Sequence, residues 1–276
     1  MITALSIKIP KKKKGFCALA DRFKGDRAEA EVKTAGSVTV RHIIYTSYSG
    51  ELKLERLNAI VGAERCRLLC SDRLIFPRQS GYRRFCSTAF SSRLCTNFAL
   101  GVLKSVKNAA DLRVAIYDPA AYCADFLLSV LEYCADVTVV TSCFEPYLCV
   151  LDRALCELGA TAMVTKNRAE LERSDLVIAP QPISEEIKLK NSAVLLAVSP
   201  PPKDIKCKAF YKYHFKMPNT FAKLKPFDLS EEYFCSALYT IGGQHQFGSI
   251  LPLSAEGSCG VRSISEFTQL LLDNGK

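Results

Sequence analysis

The stretch Leu112-Arg113-Val114-Ala115-Ile116-Tyr117 runs straight into Asp118-Pro119-Ala120-Ala121-Tyr122, and how this junction is read decides the fold. Its first six residues form a short apolar run of β-forming side chains. Four similar runs follow, at 137–141 (VTVVT), 161–165 (TAMVT), 176–179 (LVIA) and 193–198 (AVLLAV). None alternates apolar with polar residues, and near-continuous apolar runs are what strands covered on both faces require. Helical patterns separate the first three. Across 119–134, Ala120, Ala124, Leu127, Leu131 and Cys134 share one side, with Asp125, Ser129 and Glu132 on the other. Across 146–158, Leu148, Leu151, Ala154, Leu155 and Leu158 are expected to face inward. Ser142 and Glu145 have capping-box spacing, Pro146 stands early in that helix, and Gly159 closes it. The shorter link at 167–173 supports a further crossover. Strands and helices alternating at this spacing imply right-handed crossovers and a parallel sheet. The expected class is α/β, with a doubly wound, mostly parallel sheet over 111–200.

Outward from this region the pattern is weaker. Strands are expected at 2–9 and 37–45, and a helix at 49–61 with Ser49 as N-cap and Gly62 as its stop. Residues 66–70 suit a strand and 87–106 a helix, which makes a smaller N-terminal α/β domain. Helices return at 230–241, stopped by Gly242-Gly243, and from Ile264, where Ser263 and Glu266 repeat the capping-box spacing. Pro200-Pro201-Pro202 reads as a rigid turn.

Charge supports a two-part chain. Of 37 Lys+Arg and 28 Asp+Glu, residues 1–110 carry 21 and 8, a balance of +13; the remaining 16 and 20 leave −4. A step this large points to two domains with different surfaces, divided as 1–108 and 109–276. The 49% hydrophobic and 24% charged content is that of a globular protein and excludes disordered and fibrous classes. No apolar run reaches the ~18 residues that span a bilayer. The lysines at 11–14 follow the first apolar residues instead of preceding them, so no secretory signal is expected. Thirteen cysteines without a C-x-x-C pair argue against zinc and for reduced thiols in a cytoplasmic protein. Cys123, Cys134, Cys149, Cys156 and Cys235 lie in apolar stretches and read as small hydrophobes.

The turn at 117–122 decides the cofactor question. A dinucleotide-binding turn is glycine-rich, so that backbone N–H groups at a helix N-terminus can approach the pyrophosphate. This turn has no glycine. Asp118 is placed to be the N-cap, with Pro119 at the first helical position. The carboxylate then takes the anion's place. Like charges at 4 Å repel by ~4 kcal/mol at an effective dielectric of 20. A helix terminus offers an anion only ~0.3–2 kcal/mol. The second strand ends at Thr141-Ser142 with no acidic residue for a ribose. A plain capping role for Asp118 outweighs one in which it binds a cation or a ribose hydroxyl.

The stretch Arg173-Ser174-Asp175-Leu176-Val177-Ile178-Ala179-Pro180-Gln181-Pro182, with LKNSAVLLAV at 189–198, resembles the fourth and fifth strands of the cofactor domain in shikimate- and alanine-dehydrogenase-like Rossmann proteins. The resemblance covers about a third of the chain. It implies a Rossmann-like domain and an ancestral NAD(P) site. It does not carry over activity, because the glycine fingerprint and the Lys–Asp pair of shikimate dehydrogenases have no counterpart here. The candidate cleft is formed by Asp118, Thr141, Ser142, Ala179 and Pro180, at the carboxyl edge where open α/β sheets bind ligands.

Three readings follow. The first is a degenerate Rossmann-like domain acting as a non-catalytic binding or structural module, without cofactor or metal, with a small molecule as its candidate partner. The second is an NAD- or NADP-dependent oxidoreductase with an atypical phosphate loop, in which Thr141 and Ser142 face the adenosine ribose. The third is a polyanion or nucleic-acid binder that uses the lysines at 11–14 and Arg78, Arg83 and Arg84 interleaved with Tyr82 and Phe85. No nucleic-acid motif accompanies that cluster, and an ordinary basic surface is the plainer reading. His42, His214 and His245 are scattered. His245, in a polar loop, and Cys259, in a Gly-rich turn, are weaker candidates for acid/base and nucleophilic roles.

Overall fold

The computed structural model describes residues 1–10, 25–48 and 50–274. The lysines at 11–14 and the proposed cap Ser49 lie outside the described residues. The chain divides into two compact units, Met1–Ser87 with Met217–Phe247, and Thr88–Lys216 with Gly248–Lys276. The expected division at 108/109 differs from this one. The helix at 89–105 belongs with the large sheet, and a C-terminal segment returns to the first unit. The helix goes with the sheet because Phe90, Leu94, Phe98, Ala99 and Val102 give it a fully buried face.

In the first unit, β1 (Ile2–Lys8) pairs in parallel with β3 (Val38–Thr46) and β4 (Leu69–Cys70), and β2 (Arg27–Ala35) adds antiparallel to β3. The order is β2-β3-β1-β4. Helix α1 (Leu54–Val61) ends at Gly62, whose φ of 63° with ψ −139° is a conformation that suits glycine. Its Leu57 and Val61 pack with Leu5, Ile43, Tyr45, Leu68 and Tyr82 in one core. β2 is absent from the expectations above. Its sequence RAEAEVKTA is exposed along almost its whole length, so it carries no buried face to read.

The second unit holds α2 (Ala89–Ser105), β5 (Arg113–Tyr117), α3 (Phe126–Leu131), β6 (Asp136–Val140), α4 (Glu145–Leu158), β7 (Met163–Thr165), β8 (Leu176–Ala179), β9 (Val194–Ala197) and β10 (Lys208–His214). Two further strands, β11 (Ser254–Gly257) and β12 (Gly260–Ser263), precede α5 (Ile264–Asn274). The eight strands run β12-β11-β10-β9-β8-β5-β6-β7, with every pair from β7 to β10 parallel and the last two pairs antiparallel. Taken alone, β5 to β10 have the order 3-2-1-4-5-6 of a doubly wound sheet. The α/β class and Rossmann-like sheet are therefore present. The strands at 208–214 and 254–263 extend it beyond the expected 111–200. The expected box at Ser263–Glu266 forms: Ser263 N–H donates to Glu266 Oε2 at 2.7 Å and Glu266 N–H to Ser263 Oγ at 3.4 Å.

Helix α4 corrects the expected inward face. Tyr147, Val150 and Ala154 are buried, whereas Leu148 and Leu155 are 52% and 63% exposed. The Ser142–Glu145 box does not form; Phe144 occupies the cap position and no side chain caps it. Thr141 Oγ1 instead accepts the N–H of Cys143. Cys149 and Cys156 are exposed on this helix, while Cys134 and Cys235 are buried as expected. No helix among the described residues is long and apolar enough to cross a membrane.

Candidate functional site

Strand β5 ends at Tyr117, and the chain turns at Asp118, which is fully buried. The Asp118 N–H donates to the Val140 carbonyl of β6 at 3.1 Å, so the turn is knitted to the neighbouring strand end. The Asp118 carboxylate accepts from four donors. These are the backbone N–H groups of Tyr122 at 3.2 Å and Cys123 at 2.8 Å, the Tyr147 hydroxyl at 2.8 Å, and the Gln181 side-chain amide. Tyr147 comes from the first turn of α4 and Gln181 from the residue pair after β8. One side chain therefore ties three connections of the sheet's carboxyl edge together. Burial raises the pKa of the Tyr147 hydroxyl, and the adjacent Asp118 charge raises it further.

The local conformation differs from the expected helix cap. Residues 119–124 form an irregular turn, and α3 begins only at Phe126. Ala121 adopts φ +55°, the left-handed region, which interrupts any helix running from Pro119. The Asp118 carboxylate takes the N–H groups of the next turn, a competition typical of Asp beside free backbone donors. Laying the G-x-G-x-x-G spacing on this turn puts Asp118, Ala120 and Cys123 at the three glycine positions. The Cys123 thiol is pushed up to about 11, first by burial and then by the Asp118 charge, which leaves it in the unreactive thiol form.

The other cleft residues close the same edge. Thr141 and Ala179 are buried, at 2% and 0% exposure, and Pro180 is buried beside them. Ser92 Oγ donates to the Pro180 carbonyl at 2.5 Å. Ser142 is exposed, and its N–H donates to the Pro119 carbonyl at 3.1 Å. The Thr141 N–H goes to the Thr165 carbonyl. All five predicted residues thus lie at the carboxyl ends of β5, β6 and β8, and all but Ser142 are buried. A pyrophosphate needs free N–H donors at the turn. Those of Tyr122 and Cys123 are held by a carboxylate, so the residues present do not fit the group.

No family model matches the chain, and no curated protein matches it either. Solved structures align with it, among them the following two. The chain is similar to Δ1-pyrroline-2-carboxylate reductase of Thermococcus litoralis, solved with NADH and L-proline, at 18% identity and TM-score 0.29. That alignment covers 43% of this chain and 39% of the reductase, so the chain spans about two fifths of the reductase's length. It is similar to L-tryptophan dehydrogenase from Nostoc punctiforme at 10% identity and TM-score 0.30, over 99% of this chain and 80% of that one. Likeness at this level carries no statement about activity, and the fold assignment stands on the strand order.

Elsewhere, the aromatic members of the basic cluster are internal, while Arg78, Arg83 and Arg84 are exposed. Tyr82 and Phe85 are buried, Tyr82 stacks on Phe76 at 5.2 Å, and Arg84 lies over the Tyr233 ring at 4.2 Å. His245 packs edge-on against Tyr239, and the exposed Cys259 neighbours Ser258. Among the described residues no group of three or more metal-ligating side chains is placed to hold an ion. One constellation escaped the sequence reading. Ser6 Oγ lies 2.7 Å from His42 Nε2 and donates to Asp228 Oδ1 at 2.5 Å. Ser6 and His42 are buried, so the chain of bonds pins the exposed Asp228 to the first unit's sheet. Asp228 lies 222 residues from Ser6, which no local spacing reveals.

Proposed function

We propose that the second unit is a non-catalytic binding or structural module, built on a Rossmann-like sheet whose dinucleotide turn is occupied by its own side chain. The observation that carries this reading is the Asp118 carboxylate, buried and accepting from Tyr122, Cys123, Tyr147 and Gln181. A hydrogen bond to a charged group is worth about 1.5–3 kcal/mol. Displacing this carboxylate for a phosphate breaks several such bonds and strands a buried charge. An incoming anion recovers much less from the turn, where the helix is six residues long and starts beyond the loop.

The test is a thermal-shift titration of the full chain with NAD, NADP and their reduced forms. Ligand at a hundred times its Kd stabilises by about 2.7 kcal/mol, which moves the midpoint by about 5–10 °C. The reading expects no saturable shift with any of the four. A saturable shift of several degrees refutes it in favour of the oxidoreductase.

A further inference from the structure

The second half of the large sheet lacks the helices that usually cover such a face. The β8–β9 and β9–β10 connections contain no helix, and β7–β8 has only a 3-10 segment at Arg168–Arg173. The apolar cluster of Ala115, Tyr117, Val177, Leu195 and Ala209 is covered there by loop side chains, among them Ile187, Leu189 and Ile205. Between the two loops lies a cavity of about 590 Å³, floored by the same three residues. Sites that take small organic molecules measure about 300–1,000 Å³.

The rim carries the chemistry. Each loop contributes one acid and one lysine, Glu186 with Lys188 and Asp204 with Lys206. None of the four has an ion-pair partner among the described residues, whereas the neighbouring Glu185 is paired with Arg168. Glu172, from the 3-10 segment, adds a third acid. Unpaired charges of both signs around an apolar floor complement a molecule with an apolar body, an ammonium and a carboxylate. We infer that this cavity binds a small amphipathic zwitterion, with its body on Ile187, Leu189 and Ile205, its ammonium at Glu186 and Asp204, and its carboxylate at Lys188 and Lys206. None of these residues bonds to Asp118, so the inference is independent of how the turn at 117–122 is read.

The probes are L-leucine, leucinamide, which lacks the carboxylate, and 4-methylpentanoate, which lacks the ammonium, each titrated into the full chain by calorimetry. Leucine is expected to bind at least about tenfold more tightly than either, the loss of one charge-assisted contact. Lys188→Gln with Lys206→Gln should weaken leucine by a similar factor and leave leucinamide unchanged. Glu186→Gln with Asp204→Asn should weaken leucine and leave 4-methylpentanoate unchanged. All four side chains are exposed, so both double variants should melt like the parent. Absence of binding, equal binding of all three probes, or leucine affinity indifferent to both double variants overturns the inference.

Discussion

Replacing Asp118 by Ala removes the acceptor shared by four donors, and the cost can be worked from their surroundings. Tyr147 is fully buried, so its hydroxyl has no water to turn to. An orphaned buried hydroxyl costs about 1–3 kcal/mol. Gln181 is only half-buried and recovers part of its loss from solvent. The N–H groups of Tyr122 and Cys123 belong to a part-buried turn and recover some of theirs as well. No charge is left behind, so the part-exposed neutral donors add only their own partial losses to that of the Tyr147 hydroxyl, about 3–5 kcal/mol in all. At about 2–4 °C per kcal/mol, Asp118→Ala should lower the melting midpoint by about 6–20 °C. The discriminating measurement is a double-mutant cycle with Tyr147→Phe, read by denaturant unfolding. In the Tyr147→Phe background no hydroxyl is left stranded, so Asp118→Ala should cost about 1–3 kcal/mol less than in the parent. Strictly additive losses would show that Tyr147 does not depend on Asp118, and the picture of a carboxylate locking the sheet edge would fail.

Three further outcomes follow from single groups. Burial holds the His42 imidazole below its ordinary value of 6.5, outweighing the upward pull of Asp228 and Glu31, while Lys33 and Lys8 push it down further. The unfolded chain therefore takes up this proton at higher pH than the folded one. Stability should fall as pH drops below about 6.5 towards the lowered folded value and be indifferent to this group above it; urea midpoints across that window should lose part of their slope in His42→Gln. Ala121 at φ +55° bears a left-handed cost of about 1–2 kcal/mol, partly offset in a glycine variant by about 0.5–1 kcal/mol of chain entropy. Ala121→Gly should therefore melt at or slightly above the parent and Ala121→Val clearly below it. Tyr117 Oη is buried and has no hydrogen-bond partner among the described residues. Tyr117→Phe should thus be neutral or stabilising in urea titrations, in contrast to Tyr147→Phe, which should cost about 1.5–3 kcal/mol.

Strands β5 to β9 of the parallel sheet are legible because their signal is local, whereas β10 joins the same sheet without such a run. Val114, Ile116, Val139, Val177 and Leu195 lie in runs apolar on both faces, and burial on both faces is what such runs demand. β2, β11 and β12 lack that signal. β2 has no buried face, and β11 and β12 mix glycine, serine and charge because they add antiparallel at the rim. The inward face of α4 differs from the expected one for a related reason. Leu148, Leu151, Leu155 and Leu158 repeat at helical spacing, yet the buried stripe runs through Tyr147, Val150 and Ala154. Apolar periodicity identifies a helix, but its rotation about its axis is set by what the strand beneath can accept.

The site was legible in identity and not in mechanism. Asp118 stands out because a carboxylate stands where a dinucleotide-binding turn has its first glycine, and the sequence predicts that it takes up N–H groups from the residues after it. It does so without capping a helix, because Ala121 turns left-handed where a glycine would be expected to do so. Half of the lock is invisible along the chain. Tyr147 lies 29 residues and Gln181 63 residues from Asp118, and only the sheet order places the end of β8 and the start of α4 beside the end of β5. On the reading proposed above, that geometry separates a merely missing phosphate site from one that has been filled. Loss of glycines alone would leave free N–H groups for another anion to satisfy. Here the Asp118 carboxylate takes the N–H groups of Tyr122 and Cys123, so placing glycine at 118 would remove a tie between three connections as well as free those donors.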